Sequence, residues 1–220
     1  MSGAIETIDV NGRRVLDVSG LPDKAMDSYA PVWWGNALLI MIESTTVLLL
    51  LVSYAYLRRN FQEWPPPQPR TLPPLFHPVP DLLIPTIELI LIVASCFPMY
   101  WTDMAARRND GKRVKWGLWL MVAIGTALVA LRFFEMTPSH LKFRWDDNAY
   151  GSLIWIILGT HLTYLMAAVA EFFIMVFWIV RHSFDPKHGL DVTLLGGYWY
   201  WTAATWVACY ATVYIGARVL

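Results

Sequence analysis

The sequence holds little of what a soluble enzyme or a metalloprotein needs. Only 15% of its 220 residues are charged, against roughly a quarter in an ordinary soluble domain. Its 17 basic and 17 acidic residues cancel, so it lacks the positive field that nucleic-acid binding requires, and no nucleic-acid partner is expected. The two cysteines, Cys96 and Cys209, lie inside apolar runs with no CxxC spacing; they read as buried thiols rather than a disulfide or metal framework. Of five histidines, His77, His140, His182 and His188 fall in connecting segments and only His161 in an apolar run. A haem or copper centre needs at least two imidazoles or thiolates converging at one depth. The chain is therefore expected to carry no metal and no cofactor of its own, and His161 reads as a hydrogen-bonded packing residue. Residues 1–32 do not read as a secretory signal peptide: they are polar, with three basic and five acidic side chains and no apolar core.

What is abundant is apolar length. Residues of apolar type make up 56% of the chain, including 12 tryptophans, more than a soluble fold of this size hides. A helix needs about 20 mostly apolar residues to cross the hydrocarbon core. Five segments qualify, at about 33–57, 82–105, 116–134, 152–180 and 197–217. The expectation is an all-α integral membrane protein: a polar tail over 1–32, then one bundle of five transmembrane helices over 33–220. The tail is expected to be a solvent-side extension with little structure.

The connections set the orientation. Residues 58–81 hold Pro65, Pro66, Pro67, Pro69, Pro73, Pro74, Pro78 and Pro80, a density that fixes an extended, polyproline-like path. The next connection carries Arg107, Arg108, Lys112, Arg113 and Lys115 within nine residues. Together the tail, this loop and the loop after 180 hold more Lys and Arg than the connections of the opposite side, which by the positive-inside rule places the N-terminus inside and the C-terminus outside. Trp33 and Trp34, Trp116 and Trp119, and Tyr198 to Trp201 stand at span starts, where amphipathic rings favour the headgroup boundary.

Ionisable groups within spans are costly, at least about 2.5–3.5 kcal/mol each on insertion scales, so each calls for a partner or a purpose. Glu43 lies deep in the first span, on one stripe with Asn36, Leu50 and Tyr54, and is the candidate for proton handling. Glu88 shares a heptad stripe with Ser95 and Thr102, and Glu171 shares a face with His161, Tyr164 and Ala168; both read as interhelical hydrogen-bonding groups. Arg132 and Glu135, one turn apart, read as an ion pair holding a helix end at the interface. Small residues recur every four positions as Gly159, Thr163 and Ala167, and as Ala204, Ala208, Thr212 and Gly216, a spacing that lets helix backbones approach closely.

The motifs then meet a family. Trp33-Trp34-Gly35, Ile42-Glu43-Ser44 and Tyr54-Ala55-Tyr56-Leu57-Arg58 resemble the first conserved helix of cytochrome c oxidase subunit III. Trp64-Pro65-Pro66 is similar to that family's W-P-P loop, and Pro85, Ala94-Ser95 and Trp101 match the next helix. Phe134-Glu135, Tyr150-Gly151-Ser152 followed by Gly159-Thr160-His161, and finally Tyr198-Trp199 with Trp206 continue the resemblance in order to the C-terminus. Tyr164, Tyr200 and Ala203 stand where the family has a histidine, a histidine and an aspartate, and Glu88 replaces an asparagine.

The resemblance implies the five-helix bacterial form of a non-catalytic subunit III in an aerobic haem–copper terminal oxidase, a multi-pass protein of the bacterial inner membrane. It implies helix packing on subunit I, association with subunit II and further subunits, and haems and copper in those partners. Bound phospholipid and support of proton uptake come with it, and Glu43, Glu135 and His161 are the matched positions. Two other readings are an accessory membrane subunit of a nitric oxide reductase with the same fold and a free-standing transporter. The transporter would favour inverted repeats, and no internal repeat is found.

Overall fold

The computed structural model describes residues 6–8, 14–16, 30–66, 79–182, 184 and 188–219. Two short strands, β1 (Glu6–Ile8) and β2 (Arg14–Leu16), pair antiparallel with Thr7 opposite Val15. The tail therefore contains a strand pair where an unstructured extension was expected; its other residues up to 29 lie outside the described set. So do residues 67–78 of the polyproline-like path expected over 58–81.

Helices follow: α1 (Pro31–Asn60), α2 (Leu83–Arg107), α3 (Gly111–Glu135), one turn α4 (Pro138–Leu141), α5 (Ala149–His182), α6 (Gly189–Tyr210) and α7 (Gly216–Val219). A π-helical turn over Ala211–Ile215 joins the last two. Their starts and stops follow local chemistry. Proline opens α1, where a missing N–H costs nothing. The Asp110 side chain accepts from the Arg113 N–H at 3.2 Å to cap α3, and Asn109 turns the chain with φ of 56°, a conformation asparagine tolerates. Asn148 Oδ1 accepts from Gly151 N–H at 2.7 Å at the start of α5.

α1, α2, α3 and α5 are long and apolar enough to cross a membrane. At 34 residues, α5 is about 51 Å long and exceeds a hydrocarbon core of about 30 Å. α6 falls short by the same hydropathy measure, and it starts eight residues earlier than the sequence pattern indicates. Asp191 and the Gly196-Gly197 pair give its first turns a loop-like composition, and its interior is Trp, Tyr and Thr rather than Leu and Ile. Those aromatic side chains are the core: Trp199 and Trp206 are both fully buried.

α2, α3, α5 and α6 form the packed centre, and α1 leans on α5 and α6 from outside. Only 11% of the apolar stretch of α1 is buried within the chain, against 39% in α3 and α5. The closest helix approaches are made by glycines of α3. A methyl group on Gly117 would lie 2.0 Å from Thr102 Oγ1 of α2, and one on Gly125 would lie 2.5 Å from Val169 of α5. The four-residue stripes, expected to pack against protein, turn largely away from the chain's own helices. Thr163, Ala167 and Ala204 are exposed, Gly159, Ala208 and Thr212 are half-buried, and only Gly216 is buried. Their faces point away from the other helices because bulkier residues, Ile157, Leu165 and Trp206 among them, fill the interior.

Candidate functional site

Two polar clusters lie inside the bundle, at opposite ends. The first surrounds Arg132 near the end of α3. Its guanidinium lies 2.5 Å from Glu88 of α2 and 3.0 Å from Glu135, one turn further along α3. The Tyr214 hydroxyl donates to the other Glu135 oxygen, and the Trp206 ring stacks under the guanidinium at 3.5 Å. Arg132, Glu88 and Glu135 are 1%, 2% and 3% exposed, so this is a closed site.

That geometry revises one expectation: Arg132 and Glu135 are paired, but they are buried inside the bundle rather than at an exposed interface. Glu88 makes an interhelical contact, and the group it meets is the Arg132 guanidinium. The sequence signal for the pairing was present in the depth of the residues: Glu88 is five residues into α2 and Arg132 three residues from the end of α3, level in an antiparallel hairpin. Tyr214 gave no such signal, because the π turn that swings it inward is invisible in a helical repeat. Below Glu88 the α2 stripe continues buried: Ser95 Oγ accepts from Trp199 Nε1–H at 2.9 Å, and Thr102 packs on Gly117. His161 Nε2 lies 3.2 Å from the Thr202 carbonyl, with its ring 4.9 Å from Trp206, so it ties α5 to α6 within the core.

The second cluster surrounds Glu43 on the exposed helix α1. Its stripe faces α5 and α6: Asn36 Nδ2 donates to the Leu194 carbonyl at 3.4 Å, and Ser44 Oγ accepts from Trp201 Nε1–H at 2.8 Å. The Tyr198 hydroxyl is directed at the Glu43 carboxylate, short of full hydrogen-bond geometry. Glu171 and Tyr164 of α5 complete the cluster. Glu171 is thus separated from His161, which turns inward while Glu171 opens to the cleft between α1, α5 and α6. That cleft has a volume of about 540 Å³ and is bounded by Gly35, Asn36, Glu171, Trp178, His188 and Asp191.

A third assembly pins the far end of α1. Trp64 Nε1–H donates to the Tyr54 hydroxyl at 3.1 Å, and the Trp64 ring meets Tyr54 and Tyr150 edge-on at 5.2 and 5.0 Å. Three motifs far apart in sequence meet there, from the exit of α1, the W-P-P loop and the start of α5. Among the described residues no group of three His, Cys, Asp or Glu side chains could hold a metal ion.

The fold and the site define a polytopic helical membrane protein whose buried polar groups include carboxylates, tyrosines, a histidine, hydroxyl side chains and one arginine. Residues 30–218 match the family model of cytochrome c oxidase subunit III. Proteins named cytochrome c oxidase subunit 3 are similar along most of the chain. That of Thermostichus vulcanus is 22% identical over 188 residues, covering 82% of this chain and 86% of the relative. That of Synechocystis sp. is 24% identical over 189 residues, covering 83% and 74%. The Bos taurus protein is 21% identical over 151 residues, covering 69% of this chain and 54% of that protein. The chain belongs to the cytochrome c oxidase subunit III family.

Proposed function

We propose that this chain is the non-catalytic third subunit of an aerobic haem–copper oxidase in a bacterial inner membrane. It crosses the membrane five times, α6 being the fifth crossing, with the N-terminus inside and the C-terminus outside. It packs on the catalytic subunit I, associates with subunit II and others, holds phospholipid, and supports proton uptake while its partners carry the haems and copper. The observation that carries this reading is the family match over 30–218. The exposed small residues Thr163, Ala167 and Ala204 support it, since a second membrane helix could approach closely there. So does the placement of α6, which runs antiparallel to α2 through the Thr86–Tyr210, Ser95–Trp199 and Asp103–Thr193 contacts. Among the polar groups, Glu43 is assigned the proton-handling role.

Affinity purification of the tagged chain from its own membranes tests the reading. The expected result is a complex with a haem-containing catalytic subunit that consumes dioxygen and oxidises cytochrome c. Recovery of the chain free of any haem protein would overturn it.

A further inference from the structure

The Glu43 cluster differs from the Arg132 cluster in one decisive respect: among the described residues it contains no cation. The titratable groups facing it are Glu43 from α1, Tyr164 and Glu171 from α5, and Tyr198 from α6. His188 and Asp191 stand at the mouth of the adjoining cleft. Glu171 makes no ion pair or hydrogen bond with any described residue, and it stands on the cleft wall.

Depth places these groups together independently of their contacts. α1 and α6 start, and α5 ends, at the same end of the bundle, the end that bears the basic loop. Counted from that end, Glu43 is twelve residues in, Glu171 eleven and Tyr198 nine. At 1.5 Å per residue all three lie about 14–18 Å from the helix ends. The cleft connects that level with the end itself. At the mouth, His188 Nδ1 lies 2.7 Å from Asp191 Oδ2, and its ring packs on Trp178 at 3.9 Å. A volume of about 540 Å³ with polar groups at both ends admits several water molecules, each occupying about 30 Å³.

We propose that Glu171 and Glu43 form one proton-exchanging carboxylate pair, bridged by Tyr198 and fed through this cleft past His188 and Asp191. An isolated anion at that depth is costly, and no arginine or lysine among the described residues faces the pair, so a proton is the counter-charge it holds. A proton enters from water at the basic end, passes along water in the cleft to Glu171, and moves on to Glu43 as the Tyr198 hydroxyl relays it. No bond other than O–H is made or broken. This deepens the assignment of Glu43 in the proposed function by naming its donor, and it concerns the chain itself rather than its assembly.

Infrared spectroscopy of the purified full chain in lipid nanodiscs, transferred from H2O to D2O, tests it. Glu43→Gln and Glu171→Gln should each remove one protonated-carboxyl band, which assigns the two bands. In Glu171→Gln the Glu43 band should exchange more slowly, on the order of a hundredfold, and Glu171→Asp should restore the rate. The mouth variant His188→Gln with Asp191→Asn should slow both bands. An unchanged Glu43 exchange rate in Glu171→Gln, or no protonated band from either residue, overturns the proposal. Should Glu171→Gln not fold, the mouth variant decides alone, and unchanged rates there overturn it equally. The oxidase reading is judged separately by the co-purified complex, so either can fail without the other.

Discussion

Glu88 of α2 and Arg132 of α3 are joined at 2.5 Å while 2% and 1% exposed. An ion pair so enclosed contributes little net stability compared with a well-packed neutral pair, because desolvation offsets the attraction. Breaking one side is another matter. Arg132→Met leaves Glu88 and Glu135 as facing buried carboxylates, and the expected loss is about 3–5 kcal/mol. Pairing it with Glu88→Gln should recover a large part of that loss. Thermal unfolding of the four members of the cycle in detergent measures the coupling, and additive effects would refute it.

Tyr214→Phe removes the hydroxyl that Glu135 accepts while keeping the ring stacked on Tyr210 at 5.4 Å. The expected cost is about 1–3 kcal/mol, that of an unsatisfied buried charged acceptor. The same thermal assay reports it, and Tyr210→Phe, whose hydroxyl meets Thr86 at 2.8 Å in a half-buried setting, should cost less.

Gly117→Leu drives a side chain into Thr102 at the α2–α3 crossing. Overpacking here is expected to destabilise by about 1–3 kcal/mol or more, whereas Gly35→Leu, with open space around it, should be tolerated. Yield of folded, monodisperse chain after solubilisation separates the two.

Glu43→Gln should leave membrane insertion and assembly intact while altering proton uptake, or shortening the life of the oxidase under turnover. Proton pumping in proteoliposomes and inactivation kinetics of the purified complex are the measurements. If neither changes, Glu43 is a structural residue.

How much of this could be read in the sequence depends on what holds each element. Four crossing helices were legible because hydropathy over about 20 residues is a property of a segment by itself. α6 was legible only in its second half. Its place in the bundle comes from aromatic side chains packed on α2 and α5, a tertiary fact, while Asp191 and Gly196 argue locally for a loop. Tyr54, Trp64 and Tyr150 belong to three separate motifs of the sequence, and nothing in their spacing brings them together. For the small-residue stripes, spacing fixes which residues share a face and leaves open which way that face turns. Gly117 and Gly125, eight apart on α3, carry the close approaches instead. Glu88 reads in the sequence as an ionisable group within a span and Arg132 as the partner of Glu135 at a helix end; the Glu88–Arg132 contact follows once α2 and α3 are folded into a hairpin.

The loose seating of α1 has a consequence for how the protein is made. Its described anchors, Trp64 apart, are on α5 and α6: Tyr150, Leu194 and Trp201. α1 ends at residue 60, and these partners begin at 149. At about 5–20 residues per second, the ribosome leaves α1 in lipid without them for about 5–20 s. Meanwhile α2 and α3, adjacent in sequence, can close their hairpin and bury Glu88 against Arg132 at once. Glu43 must wait for the last helix, so the nascent first helix has to be apolar enough to stay in the bilayer alone with a carboxyl group on its flank. With a stretch as apolar as that of the centrally packed α5, α1 is apolar enough to hold that position alone.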